Sequence, residues 1–137
     1  MQNIKEAPIG VFDSGVGGIS VLRELVRLMP NERFLYFGDS ANAPYGSRTT
    51  EAVRQLTLAA AKKLTSEYPI KALVIACNTA TAASVAMLRS DFSLPFVGME
   101  PAIKPAAAKR IAAKRDNSFF IFLLIFWKIF TSTHLAF

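Results

Sequence analysis

Four short apolar runs, Ile9–Phe12, Phe34–Phe37, Lys71–Ala76 and Phe96–Gly98, punctuate the first hundred residues, with segments of helical periodicity between them. This alternation constrains the fold more than any other feature, because runs of three to six residues suit buried strands and are too short for independent helices. In the first interval Val21, Leu22, Leu25, Val26 and Leu28 give an apolar stripe over Ser20–Leu28, stopped by Pro30. Thr49 or Thr50 can cap a long second helix with Glu51 in its first turn, running to about Ser66. A third helix is expected over Thr81–Arg89, and another over Ala106–Lys114 behind Pro105. Strands alternating with helices predict an α/β fold, a parallel sheet flanked by helices on both faces. In such sheets ligands collect beyond the carboxyl ends of the strands. Three polar segments leave those ends: Asp13–Gly18, Gly38–Gly46 and Cys77–Thr81.

Composition narrows the class. A chain of 137 residues, 52% hydrophobic and 19% charged, can bury one core and is no disordered tail. A single cysteine excludes an intramolecular disulfide and a multi-cysteine zinc site, and it fits a reducing, cytoplasmic setting. The start, MQNIKEAPIG, has no signal-peptide core. The net charge of +6 is unevenly placed: residues 1–103 hold ten basic and nine acidic side chains, residues 104–137 six and one. A nucleic-acid footprint would rest on Lys104, Lys109, Arg110, Lys114 and Arg115 alone, a run that also suits a solvated helix face, and no nucleic-acid partner is expected.

The chain changes character near its end. Residues 1–113 read as the α/β lobe and residues 114–137 as a basic, Phe-rich tail holding six of the eleven phenylalanines. The apolar stretch Phe119–Trp127 falls short of the roughly 20 residues needed to cross a bilayer, so membrane insertion is not expected. An edge strand, a buried helix or a sticky terminus remain as readings of it.

Each rim segment carries candidate chemistry. Gly15 and Gly17 imitate the spacing of a dinucleotide fingerprint, and Asp39 lies where a ribose-binding carboxylate would fall. Ser20 at the third glycine position and a carboxylate, Asp13, beside the pyrophosphate site argue against it. No Gly-Lys-Ser/Thr follows either, so this is no Walker loop. The loop could instead bring backbone N–H groups to a small anion, with Asp13 meeting a cationic or acidic proton of the ligand. Alternatively Asp13 is only a helix cap in a tight turn. The second segment, containing Pro44, Tyr45 and Gly46, is long for a strand-to-helix connection and suits a binding loop. It could equally be a surface loop with Tyr45 packed on the following helix. In the third, Cys77 is either an inert core thiol or a reactive one near a helix start, where unpaired N–H groups favour thiolate over thiol. Asn78 and Thr79 add donors suited to a carboxylate. A thiolate beside carboxylate-binding groups suits proton abstraction at an amino-acid α-carbon. Acyl transfer would want a histidine, and the sole one, His134, is in the tail.

Taken together, FDSGVGGISVLREL, GDSANAPYGSRT and ACNTATA, followed by VGMEPAIKPA, resemble the N-terminal half of glutamate racemase over about residues 7–109. Aspartate racemases share the two-cysteine logic, but DSGVGG and CNTATA look closer to the glutamate enzyme. The resemblance implies cofactor-independent racemisation of L- and D-glutamate, supplying D-glutamate for peptidoglycan, in which one thiolate removes the α-proton and a second thiol reprotonates the opposite face. It makes Cys77 the first of that pair and Asp13 a helper in setting protonation. Asp13, Ser14, Pro44, Tyr45, Gly46, Asn78 and Thr79 become contacts of the substrate glutamate. No cofactor or metal is implied. The family's second cysteine, in a Cys-Thr-His motif of a second lobe, has no counterpart here, and Ser132-Thr133-His134 is read as a coincidental echo. The expectation is one lobe with half a catalytic pair, either a racemase that finds its second acid in another copy of itself or a non-catalytic fragment that binds an amino acid weakly and self-associates.

Overall fold

The computed structural model describes residues 6–99. Four strands, β1 (Ile9–Asp13), β2 (Phe34–Gly38), β3 (Ala72–Ile75) and β4 (Phe96–Gly98), form one sheet in the order β2-β1-β3-β4. All three pairings are parallel, with Ile9 opposite Phe34 and Ala72, and Leu73 opposite Phe96. Helices α1 (Ile19–Leu28), α2 (Thr50–Glu67) and α3 (Asn78–Asp91) make the crossovers, and two short 3-10 turns, Ser40–Asn42 and Tyr45–Ser47, occupy the connection from β2 to α2. The expected parallel α/β architecture is present. The segments expected at Ala106–Lys114, the basic cluster, the boundary at residue 113, the tail and His134 lie outside the described residues.

The strand order places the site. From β1 the chain crosses one way to β2, then returns past β1 to β3 and continues the same way to β4. Right-handed crossovers in opposite directions put α1 on one face of the sheet and α2 with α3 on the other. The direction reverses between β1 and β3, so their carboxyl ends part to form the crevice in which open α/β sheets bind ligands.

Side-chain alternation feeds two layers. Phe12, Leu73, Ile75 and Phe96 face α2 and α3 and form one buried cluster with Val53, Ala60, Ala61, Leu64 and Leu88. Val11 and Val74 alternate to the other face, where Leu25 is the buried residue of α1. The small residues Ala60, Ala61 and Ala80 let the two helices lie close over the sheet.

Several boundaries differ from expectation. β1 and β2 each run one residue further, to Asp13 and Gly38, while β3 is shorter than Lys71–Ala76. α1 begins at Ile19, and α3 begins at Asn78 rather than Thr81 and ends at Asp91. The last shift has a specific cause: Cys77 itself is the N-cap of α3, its sulfur accepting the Ala80 N–H at 3.4 Å. Thr49 caps α2 in the ordinary way, its hydroxyl accepting the Ala52 N–H at 3.2 Å. Thr49→Ala is expected to cost about 1 kcal/mol. The check is a lower denaturation midpoint with unchanged slope.

Candidate active site

Asp13 ends β1 with its side chain nearly buried, and its Oδ2 accepts the N–H groups of Gly15 at 3.0 Å and Gly18 at 3.1 Å. That oxygen therefore braces the turn that leads into α1, whose N-cap is Gly18 with no side-chain cap. The turn is held from the neighbouring strand as well. Tyr36 in β2 donates its hydroxyl to the Gly15 carbonyl at 2.9 Å, and the Asp39 N–H donates to the Asp13 carbonyl at 2.9 Å. Burial, and then the charge of Asp13, push the Tyr36 phenol above its ordinary value.

Opposite this turn stands Cys77, 7% exposed, at the junction of β3 and α3. Its Sγ lies 3.3 Å from Ser14 Oγ, a contact spanning 63 residues of sequence. With the Ala80 N–H on its other side, the sulfur sits between a hydroxyl and the open amides of a helix start. Asn78 and Thr79 are thus the first residues of α3 rather than loop residues, Asn78 exposed and Thr79 half-buried. Below them Thr81 donates to the Ile75 carbonyl at 3.2 Å, tying the helix start to the end of β3.

The third segment folds inward around Tyr45. Its side chain is only 1% exposed and its ring centroid is 6.2 Å from that of Phe12, so it belongs to the core beneath the rim. Its hydroxyl donates to Asp39 Oδ2 at 2.7 Å, while Asn42 Nδ2 donates to both Asp39 oxygens at 3.0 and 3.1 Å. The Tyr45–Ser47 turn packs on α3, and the Ala43–Pro44 bond before it is cis. Pro44 and Gly46 are exposed on either side of the buried ring.

Burial first, then the hydrogen bond to Asp39 and its charge, raise the Tyr45 phenol far above its ordinary 10.0, and the nearby Cys77 adds to the rise. The sign of the linkage follows. The stability Tyr45 contributes is fully present below pH 10.0, where the phenol is protonated in both states, and is lost as pH rises above that value, because only the unfolded chain ionises there. Tyr45→Phe is expected to be less stable than the parent at neutral pH and to show a shallower loss of stability above pH 10. Parallel losses in the two proteins would contradict it.

The structure thus brings Asp13, Ser14 and Cys77 together at the ends of β1 and β3, with Asn78 and Thr79 opening α3 next to the sulfur, whereas Tyr45 lies in the core with Pro44 and Gly46 exposed on either side of it. Sequence reasoning missed Tyr36 and the internal partners of Asp39. With both Asp39 oxygens engaged by Tyr45 and Asn42, a ribose would have to displace a core contact, a second argument against a dinucleotide. Among the described residues no group of three His, Cys, Asp or Glu side chains could hold a metal, and no helix is long and apolar enough to cross a membrane. What the arrangement offers is a nearly buried sulfur flanked by hydrogen-bonding groups between the end of β3 and the start of α3.

Comparison with known proteins places this geometry. No protein-family model matches the chain. Glutamate racemase of Clostridium botulinum (strain Loch Maree / Type A3) is 53% identical over 113 residues, 82% of this chain and 44% of that protein. That of Bifidobacterium adolescentis is 60% identical over 100 residues, 73% of this chain and 38% of that protein. Among solved structures, Escherichia coli glutamate racemase, in complex with L-glutamate and the activator UDP-MurNAc-ala, superimposes with a TM-score of 0.67 at 34% identity, covering 87% of this chain and 49% of that one. The chain spans less than half the length of these relatives. Over the part they share, sequence and fold agree: the chain is similar to part of glutamate racemase, as its curated homologues and structural neighbours alike show.

Proposed function

We propose that this lobe is a half-site for α-proton chemistry on glutamate, with Cys77 as the acid/base group, in the service of supplying D-glutamate for peptidoglycan. The observation that carries the reading is the setting of Cys77 Sγ at the switch point of the sheet, capped by the Ala80 N–H and 3.3 Å from Ser14 Oγ. There the sulfur accepts the Ala80 N–H while its thiol donates to Ser14 Oγ. The thiolate takes the α-proton: the C–H bond breaks, S–H forms, and the electron pair delocalises into the substrate carboxylate. The N–H groups opening α3, with Asn78 and Thr79, would hold that carboxylate, and the Asp13–Ser14 turn the amino-acid head. Pro44 and Gly46, held on either side of the buried Tyr45 ring, would shape the opposite wall. Inversion needs a second acid on the other face. The sequence has one cysteine, so Cys77 acting alone returns a proton to the face it came from.

The test is proton NMR of D- and L-glutamate, each incubated with the folded chain in D₂O, followed by chiral analysis. The expected result is loss of the α-proton signal of one enantiomer with retained configuration, deuterium having entered through the Cys77 thiol. Inversion would place a second acid in another copy of the chain and make a homo-oligomer the active unit. Absence of exchange from both enantiomers would overturn the catalytic reading. Glutamate binding in that sample would leave an amino-acid-binding module, the reading favoured by the missing second thiol.

A further inference from the structure

We infer that Tyr36 is a positioning residue for Cys77, acting through the Ser14 turn; this deepens the reading of Cys77 as the working group and rests on it. Among the described residues the sulfur's hydrogen-bonding partner on the β1 side is Ser14 Oγ, and Ser14 sits in a turn that holds three glycines, Gly15, Gly17 and Gly18. Such a turn has many conformations to choose from. Two devices remove that freedom. Asp13 Oδ2 gathers the Gly15 and Gly18 amides from within the turn. Tyr36 pins the Gly15 carbonyl from outside it, across 21 residues of sequence.

The two clamps meet at one peptide neighbourhood: the Gly15 N–H is held by Asp13 and its C=O by Tyr36, leaving Ser14 on the fixed side of that residue. Tyr36 is itself anchored in the strand, paired with Val11 in the β1–β2 register, so the pin is referenced to the sheet that also carries β3 and Cys77. The phenol is half-buried and beside the Asp13 charge, which keeps it protonated and donating. A tyrosine serving only the core would not need its hydroxyl at that carbonyl.

The experiment uses the lone cysteine as its own reporter, by measuring the second-order rate of Cys77 alkylation with iodoacetamide at fixed pH in native buffer. Tyr36→Phe, Ser14→Ala and the double variant are compared, with denaturation midpoints recorded for each. Removing one hydrogen bond is expected to loosen the turn and raise alkylation by roughly fivefold in Tyr36→Phe. The same substitution should add nothing in the Ser14→Ala background, because its path to the sulfur is already cut. An unchanged rate in Tyr36→Phe overturns the inference. So do effects that multiply independently in the double variant, since these mean Tyr36 acts only through overall stability. Neither readout needs glutamate or turnover. A positive cycle without α-proton exchange would retire the catalytic reading and keep the positioning, and exchange without coupling would do the reverse.

Discussion

Cys77→Ser should leave the fold standing and reduce α-proton exchange by on the order of 10²–10⁴, the range a positioned acid/base group contributes. The two halves of that expectation have separate physical causes. Serine is among the best N-cap residues, so its hydroxyl can take over the Ala80 N–H that the sulfur now accepts, and α3 should keep its start. It also replaces sulfur opposite Ser14 without demanding more space. The chemistry is different, because a hydroxyl gives up its proton far less readily than a thiol and supplies almost no base near neutral pH. Thermal denaturation and deuterium exchange into glutamate, measured on the same preparations, separate the two. A variant that exchanges at the parental rate would remove Cys77 from the mechanism. One that loses exchange together with its unfolding transition would show only that the site was structural.

The sheet was legible in the chain because its strands are short, apolar and bounded by Gly, Pro and Asp. That pattern is local, and β1, β2 and β4 fall within a residue of where it puts them. The start of α3 was not legible at Cys77 because thiols are not among the usual capping side chains. Only in three dimensions does the sulfur receive the Ala80 N–H. Tyr45 shows a second limit. It sits in a polar run, GDSANAPYGSRT, where nothing in the local pattern signals a core residue, yet its ring packs with Phe12 and its hydroxyl finds Asp39. Tyr36 was legible as a strand residue but not as a clamp, since its hydrogen bond depends on the β1–β2 register. Asp13 stood between ligand contact and helix cap on sequence alone. The two amides on Oδ2 make it the brace of the turn before Gly18, the N-cap of α1, while a role toward substrate remains part of the proposed function. Local periodicity specifies elements; contacts across more than one element have to be seen.

Gly38→Ala should damage stability and site together. Gly38 ends β2 opposite Asp13, and a Cβ built there would lie 2.3 Å from the Gly15 carbonyl oxygen and 3.2 Å from Tyr36 Cε1. No real Cβ tolerates the first distance, and the atom it meets is backbone, which cannot rotate away as a side chain can. Either the end of β2 withdraws from β1 or the Gly15 turn lifts. Overpacking of this kind costs about 1–3 kcal/mol. If the turn lifts, the Tyr36–Gly15 hydrogen bond is lost and Ser14 moves off the sulfur, so Cys77 alkylation should rise as it does in Tyr36→Phe. If β2 withdraws instead, it carries Tyr36 away from the Gly15 carbonyl, so the midpoint falls and alkylation rises as well. Gly46→Ala is the matched control, because a Cβ there meets nothing within 4 Å and the residue has no positive φ. Its stability should stay within about 0.5 kcal/mol of the parent. Equal stability of the Gly38→Ala and Gly46→Ala proteins would mean that the close approach of β2 to the Ser14 turn does not exist in solution, and the geometry assigned to Cys77 would lose its outer support.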